Sequence, residues 1–404
     1  MMKVLIADSF PEQYIESLKE LHCEVLYNRS LGGDSLMDEL KRFGPNILIV
    51  RSTKVTGDMF IACPRLSLVI RAGSGYNTID VKTASERSVY VANCPGKNAI
   101  AVAELAMGLM LSLDRRIPDN VIALRAEKWD KQEFSKARGI FGRTLGIIGV
   151  GRIAREVITR AQSFGMPVIA WSRSLNPERA AALGIGFCES PLDVAQKADV
   201  VSVHLALTPE TQTFIGKDFF KQMKPGALFI NTSRAEIIDH RALREALKTK
   251  SIRAGLDVFE AEPAEKVGAF KSGIASDPHV YGTHHIGAST EQAQNAVVEE
   301  AISIVREYMI TGHVRNCVNL LQRTPARFYL SVHHRNRVGI LAGVLDVIRD
   351  ANINVETMEN IIFLGADGAC ARIQIDGSLS KKQIESIENS SADIFSVTQA
   401  ALDA

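Results

Sequence analysis

Three polar side chains that follow strand-like runs could together carry acid–base chemistry. Arg234 ends the run LFINTSR, Glu262 follows DVFEA, and His285 lies in THHIGAST. Ligands of open parallel sheets bind beyond the carboxyl ends of the strands, where these residues are expected. Reduction of a 2-oxo acid needs a cation for the carboxylate and carbonyl, and a proton donor oriented by a carboxylate. Singly, the arginine could be a surface charge and the histidine structural, so the grouping carries the prediction.

A glycine-rich turn predicts a dinucleotide cofactor. Gly149, Gly151 and Ala154 follow the apolar run LGII and precede a helical pattern. In such a turn the first glycine permits the tight bend, the second lets the backbone approach the pyrophosphate, and the small third residue lets the helix pack on the strand. The pyrophosphate would lie at the helix amino terminus, beside Arg152 and Ile153.

The residue that usually binds the ribose hydroxyls of NAD is absent. An acidic side chain is expected at the end of the second strand, but PVIAW is followed by Ser172, Arg173 and Ser174. Hydroxyls and a guanidinium suit a 2′-phosphate, so the loop favours NADP over NAD. The alternative is a solvated loop with no cofactor preference.

The alternation of β-branched runs with amphipathic stretches predicts two α/β domains with doubly wound parallel sheets, a flavodoxin-like substrate domain and a Rossmann nucleotide domain. A helical pattern follows and ends at Gly312, and a β-α-β-β-α-β order begins near Pro325, which is a ferredoxin-like α+β arrangement. The expected boundaries are residues 1–96 for the first part of the substrate domain, 97–288 for the nucleotide domain, 289–320 for a return helix, and 325–404 for the last domain.

Composition excludes several classes of protein. Lys plus Arg (47) balances Asp plus Glu (46), which argues against nucleic-acid or membrane-surface binding. The six cysteines form no C-x-x-C pair, so reduced thiols are expected rather than disulfides or a metal site. The amino terminus shows no secretion signal, and the most apolar helix, 99–113, is too short for a bilayer. A cytoplasmic enzyme is expected.

At this point a family resemblance becomes specific. The segments VRSTKVTGDMF, RAGSGYNTID, NAIAVAELAMGL, TLGIIGVGRIAREV, DVVSVHLALTPET, MKPGALFINTSRAEIID, AGLDVFEAEP and HHIGASTEQAQ, in order from about Val50 to Gln294, resemble the D-isomer-specific 2-hydroxyacid dehydrogenases. The resemblance implies that Arg234 binds the substrate carboxylate and carbonyl, that His285 is the general acid–base, and that Glu262 is its partner. It also implies that Asp257 holds the carboxamide of the nicotinamide.

Substrate-binding residues follow from the same resemblance. The loop that contains Ser74 and Gly75 would offer backbone donors to the carboxylate, with Asn98 close by, and Arg51 with Ser52 matches the position where the family holds an anion. A phosphate there would favour a phosphoglycerate substrate, whereas the alternative is an ordinary salt bridge. His284 stands where the family usually has proline, which leaves two candidate rings. His285 is preferred because it directly precedes IGAST.

The carboxy-terminal residues, from about Ala326, resemble an ACT domain, a module that binds amino acids. The residues that match its effector motif are His334, Asn336, Gly339 and Asn354, with Val338 in place of a proline. Serine is the expected effector, and the enzyme is expected to be a homo-oligomer, a dimer or a tetramer. The alternative is that the module only dimerises the chain.

The resemblance is greatest to the branch of the family that oxidises 3-phospho-D-glycerate to 3-phosphooxypyruvate at the start of serine synthesis. One alternative is an NADP-dependent reductase of glyoxylate or hydroxypyruvate, which the Ser172–Ser174 loop favours. Another is a nucleotide sensor related to corepressors, whose output is protein binding. The presence of Arg234, Glu262 and His285 together argues against the sensor.

Overall fold

The computed structural model describes residues 1–263, 267–321 and 323–402, and the chain forms two compact units, Met1–Asn319 and Leu320–Ala404. The first unit contains two parallel sheets, and the second contains one antiparallel sheet. We call the part of the first unit that surrounds its five-stranded sheet the substrate lobe, and the part that surrounds its seven-stranded sheet the nucleotide lobe.

The substrate lobe is built on a five-stranded parallel sheet in the order β2-β1-β3-β4-β5, which is the flavodoxin-like order. Its central strand ILIV is buried at every residue, as expected for a parallel strand covered on both faces. The strands are β1 (Lys3–Ile6), β2 (Glu24–Tyr27), β3 (Ile47–Val50), β4 (Leu68–Arg71) and β5 (Tyr90–Asn93). The helices that connect them are α1 (Gln13–Glu20), α2 (Gly33–Phe43), α3 (Gly57–Ala62) and α4 (Val81–Glu86).

The nucleotide lobe contains a seven-stranded parallel sheet in the order β12-β11-β10-β9-β6-β7-β8. The chain reverses direction across the sheet between β6 and β9, which is the point where dinucleotides bind in Rossmann folds. The strands are β6 (Leu145–Ile148), β7 (Val168–Trp171), β8 (Gly186–Phe187), β9 (Val200–Val203), β10 (Leu228–Asn231), β11 (Arg253–Leu256) and β12 (Val280–Gly282). The helices are α5 (Ala99–Arg115), α6 (Ile117–Arg125), α7 (Lys131–Phe134), α8 (Arg152–Ser163), α9 (Pro177–Ala182), α10 (Pro191–Lys197), α11 (Lys217–Gln222) and α12 (His240–Lys250).

Helix α13 (Glu291–Thr311) carries the chain back from the nucleotide lobe to the substrate lobe. Thr290 caps its amino terminus, and Gly312 ends it in a left-handed conformation. The apolar face of the helix, which includes Val297 and Val305, joins the core formed by β1, β3 and β4. The substrate lobe is therefore assembled from two separate segments of the chain.

The second unit has the β-α-β-β-α-β order of a ferredoxin-like domain, with its antiparallel sheet in the order β14-β15-β13-β16. Its core joins Leu330, Val332 and Ile373 of the sheet to Val344 and Ile387 of the helices. The elements are β13 (Phe328–Arg335), α14 (Ile340–Asp350), β14 (Val355–Ile362), β15 (Gly368–Ile375), α15 (Lys381–Asn389) and β16 (Ile394–Ala401). The predicted fold class, two parallel α/β domains and a ferredoxin-like α+β domain, is confirmed.

Among the described residues, no helix is both long and apolar enough to cross a bilayer. All six cysteines are free thiols, and five of them are buried.

Candidate active site

His285 and Glu262 form a hydrogen-bonded pair at the edge of the nucleotide lobe. His285 Nδ1 lies 2.8 Å from Glu262 Oε2, and Glu262 Oε1 accepts the backbone N–H of Phe259 at 2.9 Å. Burial raises the pKa of Glu262, but the hydrogen bonds from His285 and Phe259 outweigh it and hold that pKa below its ordinary value. The carboxylate therefore stays ionised and fixes the ring, which leaves Nε2 for the substrate.

His284 also lines the cleft, but its ring has no such partner in the described part of the chain. The position of Glu262 thus distinguishes the two adjacent histidines that the sequence left as candidates. His285 itself has a positive φ of 53°, a left-handed conformation that is uncommon for a residue other than glycine. This conformation costs free energy, so the surrounding contacts must hold it.

Asp257 supplies those contacts. Its side chain accepts hydrogen bonds from the Thr283 hydroxyl at 2.6 Å and from the backbone N–H groups of Ile286 and Gly287, each at 2.8 Å. A Cβ on Gly287 would lie only 2.9 Å from an Asp257 oxygen, so this glycine permits the close approach. Asp257 is 1% exposed. In this arrangement Asp257 clamps the loop that carries His285, in addition to the nicotinamide contact that the resemblance implies.

Arg234 reaches from the nucleotide lobe to the glycine-rich loop of the substrate lobe. A Cβ on Gly75 would lie 2.7 Å from Arg234 Nη2, so the guanidinium lies directly against the loop backbone. Arg234 follows β10, and its carbonyl accepts a hydrogen bond from Asn231 at 2.9 Å. The predicted carboxylate-binding residue and loop are therefore adjacent.

Sequence reasoning missed Arg71, the last residue of β4. Burial, together with the positive charges of Arg234 and Arg51, lowers the pKa of Arg71 to about 10. Its Nε atom is buried and has no hydrogen-bond partner among the described residues. A Cβ on Gly73 would lie only 1.5 Å from Arg71 Nη1, so the guanidinium fills the space that a side chain at this position would need. Three guanidinium groups therefore lie close together with the Asp8 carboxylate nearby, which leaves an excess of positive charge that an anionic ligand would offset.

A second missed residue, Asp8, organises the segment that carries Arg51. Its Oδ2 accepts the backbone N–H groups of Arg51, Ser52 and Thr53 at 2.7, 3.0 and 2.9 Å. The Ser52 N–H is thus already occupied, and only the side chains of Arg51 and Ser52 remain to contact a ligand. The position of Asp8 directly after the first strand run was the available sequence signal.

Ser74 and Asn98 contact each other at the base of the cleft. The Ser74 hydroxyl donates to Asn98 Oδ1 at 2.8 Å, and Asn93 donates to the Ser74 carbonyl at 2.6 Å. These bonds fix the glycine-rich loop. Asn98, Arg51, Arg71, Glu262 and both histidines line one cavity of about 800 Å³ between the lobes.

The dinucleotide turn has the geometry that a pyrophosphate requires. Gly149 has φ 90°, and a Cβ there would lie 2.6 Å from the His204 carbonyl. Gly151 is the N-cap of α8 and has open space in front of it, with no side chain capping the helix. The first N–H groups of α8, at Arg152 and Ile153, are free to bind an anion. The Arg152 side chain instead contacts the Pro95 carbonyl.

Ser172 and Arg173 directly follow β7, at the carboxyl edge beside this turn. Arg173 is exposed. Hydrogen bonds from Thr208 and from the backbone of Glu210 lower the pKa of Glu210, and the charge of Arg173 lowers it further. Trp171 stacks on Phe214 at 5.4 Å, so the segments after β7 and β9 are close. These are the residues around a cofactor ribose in this fold.

The candidate effector residues lie at two ends of the second unit. His334 is 1% exposed and lies 3.2 Å from Asn360 through Nε2, and Asn336 donates to the Ala366 carbonyl at 3.1 Å. Gly339 begins α14 with φ 92°. Asn354 precedes β14, and its backbone N–H donates to Asp376 Oδ1 at 2.8 Å. Asp376 follows β15, whereas Ala366, the partner of Asn336, precedes this strand. His334 and Asn354 therefore do not meet within one module.

Comparisons with known proteins agree with this geometry. Residues 107–287 match the NAD binding domain of the D-isomer specific 2-hydroxyacid dehydrogenases. The chain is 34% identical over 395 residues to D-3-phosphoglycerate dehydrogenase of Methanocaldococcus jannaschii, covering 96% of this chain and 70% of that protein. It spans between 57% and 70% of the length of the curated relatives it matches.

Solved structures of other proteins have a similar fold. The TT0316 protein of Thermus thermophilus superposes with a TM-score of 0.70 at 29% identity, over 78% of this chain and 100% of that one. The NAD⁺-bound 3-phosphoglycerate dehydrogenase of Entamoeba histolytica superposes with a TM-score of 0.65 at 25% identity, over 79% and 99% of the two chains.

Proposed function

Because the chain belongs to the D-isomer specific 2-hydroxyacid dehydrogenase family, we propose that it oxidises 3-phospho-D-glycerate to 3-phosphooxypyruvate. The observation that supports this choice of substrate is the position of three guanidinium groups: Arg51 and Arg71 line the cleft, and Arg71 and Arg234 both lie against the Gly73–Gly75 loop. The substrate has a carboxylate at one end and a phosphate at the other. Guanidinium groups bind both kinds of oxyanion in a bidentate manner.

The carboxylate is assigned to Arg234 and the backbone of the Gly73–Gly75 loop, and the phosphate to Arg51 and Arg71. This arrangement orients C2 of the substrate toward His285. A bound nicotinamide cofactor would supply the acceptor for the hydride of C2. In the same step His285 Nε2 takes the proton of the C2 hydroxyl, and Glu262 stabilises the resulting imidazolium.

The reverse reaction uses the same groups. Protonated His285 donates to the oxygen that develops negative charge, while Arg234 polarises the carbonyl. Asp257 keeps His285 in its left-handed backbone conformation, so the ring need not reorganise during the reaction. All of these groups except the phosphate-binding arginines and the glycine-rich loop belong to the nucleotide lobe.

A substrate panel tests the proposal. Nicotinamide absorbance is followed with 3-phospho-D-glycerate, D-glycerate and D-lactate, and in the reverse direction with 3-phosphooxypyruvate, hydroxypyruvate and glyoxylate. We expect the phosphorylated substrates to have the highest kcat/KM. A higher kcat/KM for glyoxylate or hydroxypyruvate would support the reductase alternative, and turnover of none would support the sensor alternative.

NADP preference is a further part of the proposal. It is supported by the hydroxyl of Ser172 and by Arg173, which directly follow β7 at the strand end where NAD-binding folds usually have an acidic residue. Arg173→Asp should lower kcat/KM for NADP relative to NAD, with Arg241→Gln on α12 as the control. An unchanged ratio would refute the role of this loop.

We also propose that the chain forms a homo-oligomer and that its second unit binds L-serine between paired modules. Apolar side chains exposed on and after α6, among them Ile122 (66%) and Trp129 (81%), support association. The separation of His334 from Asn354 requires two modules for a site that uses both. Mass measurement in solution and initial rates with and without L-serine test the two statements.

A further inference from the structure

A basic pocket lies at the opposite edge of the nucleotide-lobe sheet from the active site. Leu228 and Arg253, which line it, are the first residues of β10 and β11, whereas Arg234 and Asp257 follow the last residues of these strands. Four-residue strands separate the two edges by about 13 Å, at about 3.3 Å per residue. The pocket is therefore separate from both the cofactor turn and the substrate cleft.

The wall of this pocket has a large excess of positive charge. Asp114 and Glu133 are the acidic side chains in its lining. The cationic side chains in its lining are Arg115, Arg116, Lys136, Arg138, Arg143 and Arg253. They come from segments that are distant in the sequence, so the fold gathers them.

Both acids are already occupied by some of these cations. Asp114 accepts Arg143 Nη1 and the Gly139 N–H, each at 3.0 Å, and Glu133 pairs with Arg116 and Lys136. Within the described ranges, Arg115 and Arg138 have no carboxylate within salt-bridge distance, which leaves net positive charge facing the pocket.

Arg143 adds a fixed positive charge to the wall of the pocket. Its side chain is only 9% exposed, yet its Nε atom is buried with no hydrogen-bond partner among residues the structure describes. Burial lowers the pKa of Arg143, the Asp114 carboxylate raises it, and the nearby charge of Arg138 lowers it. Arg143 Nη1 donates to Asp114 at 3.0 Å and its Nη2 donates to the Asp199 carbonyl at 3.2 Å, so the guanidinium is a fixed positive charge in the pocket wall that attracts an anion.

From this arrangement we infer that the pocket is a second anion site that binds a phosphate group. Its cavity of about 160 Å³ holds a tetrahedral oxyanion with several water molecules, since each water takes about 30 Å³. The planar guanidinium groups of Arg115 and Arg138, which have no carboxylate partner within the described ranges, suit bidentate contacts to phosphate oxygens, and Arg143 adds its charge from the pocket wall. A free phosphate, a pyrophosphate or the phosphate tail of a nucleotide shares this chemistry.

Calorimetric titration tests the site. The Arg51→Gln/Arg71→Gln variant serves as the background, because it removes the phosphate-binding arginines of the cleft. Inorganic phosphate, pyrophosphate and ATP are each titrated at constant ionic strength, with saturating nicotinamide cofactor present to occupy the turn at Gly149 and Gly151, and with sodium chloride as the reference. We expect saturable binding of one anion per chain. Binding of inorganic phosphate without ATP would assign a small phosphate, and binding of all three would assign a phosphate tail that protrudes.

Adding Arg115→Gln and Arg138→Gln to this background should weaken binding about tenfold or more for each lost charged contact. Both side chains are exposed, so the fold should be retained. Arg138→Lys should weaken binding less than Arg138→Gln, and Arg241→Gln is the matched control. In the otherwise wild-type chain, Arg115→Gln/Arg138→Gln should leave kcat/KM within about twofold, which separates this site from the proposed activity. Identical isotherms with and without the two substitutions, or equal response to chloride, would overturn the inference.

Discussion

Replacement of Arg71 by methionine separates a ligand-binding role from a structural one. The Arg71 side chain makes no hydrogen bond within the described residues, and it lies close to the like charges of Arg51 and Arg234. Methionine keeps the apolar stem and leaves no unsatisfied polar group. We therefore expect the Tm of Arg71→Met to equal or exceed that of the wild type.

The catalytic effect should be large and specific to the phosphorylated substrate. A hydrogen bond to a charged group contributes about 1.5–3 kcal/mol, and about 1.36 kcal/mol corresponds to a factor of ten. Loss of the guanidinium should thus lower kcat/KM for 3-phosphooxypyruvate by about 10- to 150-fold. For hydroxypyruvate, which lacks the phosphate, the decrease should be less than about threefold, since Arg234 and the glycine-rich loop remain.

Both substrates are assayed by nicotinamide absorbance, and Tm is measured on the same preparations. Arg29→Gln, an exposed arginine of the same lobe, is the control and should behave as the wild type. Equal losses on the two substrates would show that Arg71 serves the carboxylate instead. A marked fall in Tm with little change in kcat/KM would refute the reasoning entirely.

The acid–base groups give three further expectations. His285→Ala should lower kcat about 10²- to 10⁴-fold with cofactor binding intact, whereas His284→Ala should change kcat little. Steady-state kinetics and cofactor titration measure the two effects. The reverse pattern would assign the acid–base role to His284. Glu262→Gln should lower kcat, because a neutral amide no longer stabilises the imidazolium that forms during the reaction. The pKa of Glu262 is lowered in the fold, so its contribution to stability is present above the ordinary pKa and is lost as the pH falls through the lowered one. A series of Tm measurements from pH 6 to pH 3 should therefore be flatter for the variant than for the wild type. Asp257→Asn replaces one of the two accepting oxygens with an NH2 group, which cannot accept a hydrogen bond. The loop that carries His285 should then be held less firmly, so kcat should fall by a larger factor than the KM for substrate rises. A loss in cofactor affinity alone would assign Asp257 only to the nicotinamide.

Fold class followed from sequence because it depends on local patterns. Short buried runs such as ILIV alternate with amphipathic helices such as α2. Helix α6 was not predicted, because its apolar residues are exposed and show no clear helical face.

The site was predictable only in part. The residues that follow strands, Arg234 and His285, were found because strand ends share one edge of the sheet. Arg71 was missed since it is the last residue of a strand and reads as part of it. The three N–H contacts of Asp8 and the left-handed backbone of His285 depend on distant segments and leave no mark in a sequence window.

The acid–base residues and the residues proposed to bind the phosphate lie in different lobes, and this separation affects how the substrate specificity of such an enzyme can evolve. His285, Glu262, Asp257 and Arg234 all lie between residues 231 and 288, while the side chains proposed to bind the phosphate of the substrate lie before residue 97. A new 2-hydroxy acid could therefore be accommodated by altering the amino-terminal segment alone, without disturbing the proton-transfer pair. Specificity in this architecture can diverge by substitution or recombination of one segment while the chemistry is inherited intact.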